Sequence, residues 1–139
     1  MGNNRTPVFF TINSLGVGGA EKVLINYLNT IDMSVFRPFL IVFEDKGAFF
    51  KLLKPNIKVI TLHKKNWFDF IKISLKLLIL IRQYRPRIIV SFLDYANLIT
   101  LVTRFFFLSF PKIIVRESNQ LSRLYKKTRY GWLKRLFIK

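Results

Sequence analysis

Apolar residues along this chain fall into two alternating kinds of run. Short continuous runs occur at Val8–Ile12, Phe39–Phe43, Ile57–Leu62, Ile88–Phe92 and Lys112–Val115, and each predicts a strand. Between them lie stretches with helical spacing. From Ala20 the apolar positions are Ala20, Val23, Leu24, Tyr27, Leu28 and Ile31, the stripe of a one-faced helix. Ala48–Leu53 predicts a short helix that Pro55 helps to end, and Phe68–Tyr84 a long apolar helix that stops before Pro86. Asp94 then opens a helix running to about Leu108, as its N-cap or its first-turn acid. Leu121–Ile138 predicts a basic helix, weakened near Gly131 by about 1 kcal/mol.

Strands that alternate with helices, and that are apolar without a break, belong to a sheet covered on both faces. The expected fold is therefore α/β, a Rossmann-like doubly wound parallel sheet in a single domain. On that frame the polar clusters follow the strands: Asn13 and Ser14, Glu44 and Asp45, His63 to Lys65, Asp94, and Glu117 to Asn119. All of them fall at the carboxyl edge of the sheet, where open α/β sheets bind ligands.

Composition narrows the chemistry. The 139 residues contain no cysteine and one histidine, His63, which excludes disulfides, thiolate metal sites, cysteine nucleophiles and multi-histidine metal sites. Lys and Arg number 24 against 7 Asp and Glu, a net charge of +17, so the partners are expected to be anionic. The N-terminus has no signal-peptide core, and no uninterrupted apolar run reaches the roughly 18 residues of a membrane span. Ile73–Ile81 is broken by Lys76, and Tyr95–Phe110 by Arg104.

The glycine cluster in Ser14–Val23, SLGVGGAEKV, lies between the first strand and the first helix. Such a loop lets backbone N–H groups and the positive helix end approach a phosphate. It is not a P-loop, because no GK[ST] follows, and it breaks the dinucleotide fingerprint GxGxxG, because Glu21 stands at the third glycine position. Glu44 still ends the second strand, where a ribose-binding acid would sit, so a dinucleotide module stays open as an alternative.

Four blocks, in order, resemble the N-terminal half of the family-4 glycosyltransferases of GT-B fold. They are GVGGAEKVLINYLNTID, FEDKGAFFKLLKPNIKVITL, YRPRIIVSFLDYANLITLV and IIVRESNQLS. The resemblance implies the acceptor-binding, N-terminal domain of a retaining enzyme that uses a nucleotide-sugar donor, and no other cofactor. It also implies that 1–139 lacks the last part of this domain and the whole donor-binding domain, that it is a fragment of a broken gene or the partner of a separate donor-domain chain, and that it is inactive alone. Carried onto this chain, Gly18 and Gly19 would line the cleft near the donor diphosphate or the acceptor. Asp94, Tyr95 and Asn97 would flank the acceptor, and Glu117, Ser118 and Asn119 would lie at the cleft floor. Ser118 stands where many relatives carry His or Arg, and Arg87 where an Asp is usual. The acceptor implied is a polysaccharide or lipid-linked glycan, at the inner face of the plasma membrane.

Arg123–Lys139 carries seven cations and no acid, interleaved with Leu124, Tyr125, Trp132, Leu133, Leu136 and Phe137. A basic stretch with such apolar residues predicts binding to an anionic membrane surface through Arg123, Lys126, Lys127, Arg129, Trp132, Lys134 and Arg135. No nucleic-acid-binding signature is present, and the cations are spread along the chain, so no nucleic acid is expected; a non-catalytic module binding a dinucleotide or nucleic acid remains the alternative function.

Overall fold

The computed structural model describes residues 5–106 and 111–116. Five strands form one parallel sheet: β1 (Thr6–Ile12), β2 (Phe36–Val42), β3 (Lys58–Thr61), β4 (Ile88–Phe92) and β5 (Lys112–Arg116), in the order β3-β2-β1-β4-β5. Three α-helices cover it: α1 (Gly19–Thr30), α2 (Phe70–Tyr84) and α3 (Asp94–Arg104). The chain is thus a Rossmann-like α/β domain, as the continuous apolar runs require.

Side chains on a strand alternate between faces, and this builds two cores. Phe9, Phe39, Ile41, Phe43 and Ile89 point to one face, where α2 (Ile73, Leu77, Ile81) and α3 (Tyr95, Ala96, Ile99) cover them. Val8, Phe10, Ile12, Leu40, Val42 and Phe92 point to the other, against Leu24, Ile25 and Leu28 of α1. Pro38 is tolerated inside β2 because β3 joins only from Phe39, which leaves an edge position there.

The ends of the elements show where local chemistry overrode the spacing. Tyr27 does not join the buried stripe of α1: it is 54% exposed, and Ile25 takes the inner position. Its ring lies instead under the Arg116 guanidinium, 5.7 Å away. The long second helix begins with a 3₁₀ turn, Trp67–Asp69, because the Asp69 carboxylate accepts the N–H groups of Lys65 (2.8 Å) and Asn66 (3.1 Å). α2 ends on Arg85 in the left-handed conformation (φ 45°), whose N–H closes on the Ile81 carbonyl, and Pro86 follows. α3 ends at Arg104, earlier than the expected Leu108; residues 107–110 lie outside the described ones, as does the basic helix expected at Leu121–Ile138.

Phe9 is fully buried, and its ring meets Phe39 edge-on at 5.5 Å. Phe9→Ala should cost about 3–5 kcal/mol, a large part of the stability of a domain this size, and chemical denaturation would register it as a lower midpoint with an unchanged slope.

Candidate functional site

The connection after β1 leads to β2 on one side, and the connection after β4 leads to β5 on the other. Adjacent strands that diverge in this way leave a crevice beyond their carboxyl ends, the position where doubly wound sheets hold ligands. Both helices that start beside it lack a side-chain cap: α1 behind Gly18, and α3 behind Leu93. Their first N–H groups and positive dipole ends are directed to this edge.

The left wall of the crevice is a polar network made by sheet pairing that runs past the strands. The Phe43 and Glu44 N–H groups still donate to Ile12 and Asn13, and the Lys64 N–H to Phe43. Asn13, Glu44 and Lys64 are thereby set side by side across three strand ends. Asn13 Nδ2 donates to Glu44 Oε1 at 3.2 Å, and Lys64 Nζ donates to the same oxygen at 2.5 Å. The ammonium also lies 4.5 Å from the centre of the Tyr95 ring. The hydrogen bond from Lys64 holds the Glu44 carboxyl below the ordinary glutamate range, against the opposing effect of partial burial. Burial pushes the Tyr95 phenol upward, and the nearby Lys64 charge partly offsets this.

The glycine loop is crossed by an acidic side chain. Glu21 folds back over it, so that a Cβ at Gly18 would collide with the Glu21 carboxylate, and one at Gly16 would stand 3.9 Å from it. The carboxylate thus lies over the open end of α1 and interacts favourably with the dipole there. Gly19, the first helical residue, has open space beside it. The glycine the loop cannot replace is Gly47, after β2. It has φ 137°, and a Cβ there would strike the Leu15 backbone. Leu15 is fully buried and tied to that neighbouring loop by bonds from its N–H to the Lys46 carbonyl (3.0 Å) and from the Phe49 N–H to its own carbonyl (3.2 Å).

On α3, the three residues expected to flank an acceptor are not brought together. Asp94 is exposed in the first turn and does not cap the helix, whose N-cap is Leu93. Tyr95 faces Phe43, Phe70 and Lys64. Asn97, two residues on, is about 200° further round the helix and so lies on the opposite flank. Asn97 is 5% exposed, yet among the described residues neither its amide nitrogen nor its amide oxygen has a hydrogen-bond partner. Such a group carries a desolvation cost of about 1–3 kcal/mol. Its neighbours on the inner face are paired: Thr100 with Thr11 (3.3 Å) and Ser91 (3.4 Å), and Thr103 with the Ile99 carbonyl (2.7 Å). The Asn13 amide oxygen is likewise buried and, among the described residues, unpaired. Leu93, between β4 and α3, holds φ 72° and ψ 154°, a conformation that costs a non-glycine residue about 1–3 kcal/mol.

Glu117, Ser118 and Asn119 lie outside the described residues, as do Arg123, Lys126, Lys127, Arg129, Trp132, Lys134 and Arg135. Among the described residues no cluster of His, Cys, Asp or Glu could hold a metal ion, and no helix is long and apolar enough to cross a membrane. No protein-family model matches the chain, and a search of the curated proteins gives no match.

Two outcomes test this geometry. Gly47→Ala should destabilise the domain by more than about 1 kcal/mol, whereas Gly19→Ala should leave its melting temperature unchanged or slightly raised. The Glu44 carboxyl has a lowered pKa in the folded chain, so its contribution is present above the ordinary glutamate range and is lost as pH falls through the lowered value. Glu44→Gln should therefore be less stable than the parent by about 1 kcal/mol at pH 7, and the gap should close as the pH is taken below about 4. Denaturant titrations at a series of pH values read it directly.

Proposed function

We propose that this domain is the acceptor-binding wall of a retaining, GT-B-type glycosyltransferase that takes its sugar from a nucleotide-sugar donor. The observation that carries the reading is the Glu21 carboxylate lying over the glycine loop. A diphosphate would need that loop's N–H groups and the positive end of α1, and it would meet a like charge there. A sugar hydroxyl is complementary to the same place, since it donates to a carboxylate and both donates to and accepts from an amide. The amide of Asn97 and the amide oxygen of Asn13, both without a partner among the described residues, suit a polyol for the same reason. This favours a glycan over a dinucleotide, and it agrees with the acceptor-side role that the four sequence blocks imply. The acceptor is then a polysaccharide or lipid-linked glycan, and transfer takes place at the cytoplasmic membrane face.

Catalysis needs more than this wall. A half-open crevice cannot exclude water or hold donor against acceptor, and so lacks the positioning that drives transfer. The donor-binding domain would supply the facing wall, from the same polypeptide or from a second chain.

Titrating the isotope-labelled chain with oligosaccharides, NAD and UDP, and following backbone amide resonances, tests the reading. Oligosaccharide should shift Gly16–Gly19 and the first turn of α3, and Asn97→Ala should weaken that binding about tenfold, the worth of one buried hydrogen bond. Shifts at the glycine loop with NAD or UDP, and none with glycans, would overturn it.

A further inference from the structure

The charges of this domain are sorted by edge. The acids Glu21, Glu44, Asp45, Asp69 and Asp94 all lie at or beside the carboxyl edge of the sheet, where lysines balance them. The amino edge is different. Arg37, Lys58 and Lys112 stand at the starts of β2, β3 and β5, Arg85 and Arg87 lead into β4, and Arg82 and Arg104 end α2 and α3. Asp32, in the turn after α1, is the one acid among the described residues of that edge, and its carboxylate is engaged by the N–H and hydroxyl of Ser34. An open cavity of about 1140 Å³ occupies the same edge, lined by Arg82, Arg85, Arg87 and Lys112 with Phe36, Pro86 and Ile88 among them.

Beside this cationic basin the surface is strongly apolar. α3 delivers Phe105 and Phe106 to the amino edge, 88% and 61% exposed. Ile79 of α2 and Leu101 of α3 are also exposed, at 60% and 42%. Two adjacent phenylalanines left this exposed are the kind of apolar surface that marks an interaction site. The partner must present anionic groups to the basin and hydrocarbon to the phenylalanines at the same time.

We propose that this corner, where the amino edge meets the outer face of α2 and α3, docks on an anionic lipid bilayer. Headgroup phosphates would meet Arg82, Arg85, Arg87 and Lys112, and the phenylalanines would enter the interface beside them. A nucleic acid satisfies the basin but leaves Phe105, Phe106, Ile79 and Leu101 in water, and a bilayer satisfies both. The docking turns the carboxyl edge, with its crevice, away from the lipid. The inference does not rest on the glycosyl-transfer reading, and it uses none of the residues Arg123–Lys139.

The absence of cysteine makes the test direct, because one introduced thiol labels one place. The full chain carrying Phe106→Cys, labelled with an environment-sensitive dye, is mixed with phosphatidylcholine vesicles with and without phosphatidylglycerol. A chain labelled at Asp45→Cys, on the carboxyl edge, serves as the reference. The expected result is a blue shift at position 106 with the anionic vesicles, little with the neutral ones, and none at position 45. In flotation, Arg85→Gln/Arg87→Gln/Lys112→Gln should lower the bound fraction at least about tenfold, with circular dichroism unchanged. Flotation with a silent label at 106 would overturn the proposal in favour of another segment, and equal shifts at both positions would overturn the orientation. Failure to float, equal binding to neutral vesicles, or RNA displacing the vesicles from the basin would each overturn it as well.

Discussion

Everything in this domain is arranged around a strand that has no exposed side. β1 is paired along both edges and covered on both faces, with Phe9 packed under α2 and α3 and Phe10 under α1. A strand in that position can end only where its backbone finds other partners, and it ends at the crevice. Pairing continues to Asn13 and Glu44 after the side chains have turned polar, so a rigid ladder delivers the first polar residues to the edge. The geometry of the site is therefore a property of the sheet, while the loops supply its chemistry.

Two features of that edge belong together physically. Lys64 is nearly buried, with a side chain 9% exposed, and it is acceptable there because Glu44 neutralises it and the Tyr95 ring faces it. Asn97 is as deeply buried but has not been satisfied. The first arrangement stabilises the fold. The second costs stability, as does the left-handed Leu93 one turn before it. Costs of this kind gather at places where a ligand completes the bonding, and here they lie around the N-terminus of α3.

Much of the fold was legible in the sequence because its strands are buried on both faces. A continuous apolar run such as Phe39–Phe43 admits few other readings once helical stretches stand on either side of it. The stripe of α1 was harder, since both Ile25 and Tyr27 are apolar, and Tyr27 stands outward beside the Arg116 side chain, about ninety residues away. The glycine cluster was conspicuous, yet its residues occupy ordinary backbone conformations, while the inconspicuous Gly47 carries the positive φ. The Glu44–Lys64 pair joins two polar clusters that were visible one by one. Their contact depends on strand register, which spacing does not encode. The unpaired amide of Asn97 left no trace at all, because satisfaction of a buried group is a property of its surroundings.

The strand order also bears on how the chain is made. β1 is the first strand to leave the ribosome, but its second neighbour, β4, is paired with it through Val8 and Ile88 and is translated eighty residues later. At ordinary rates of synthesis that interval lasts roughly 4 to 16 s. Throughout it, the central strand of the domain has one edge without a partner, a template for other nascent chains. The cell must bridge this gap with a chaperone, with slow growth of aggregates, or with the high positive charge of the chain itself, which keeps unfinished copies apart.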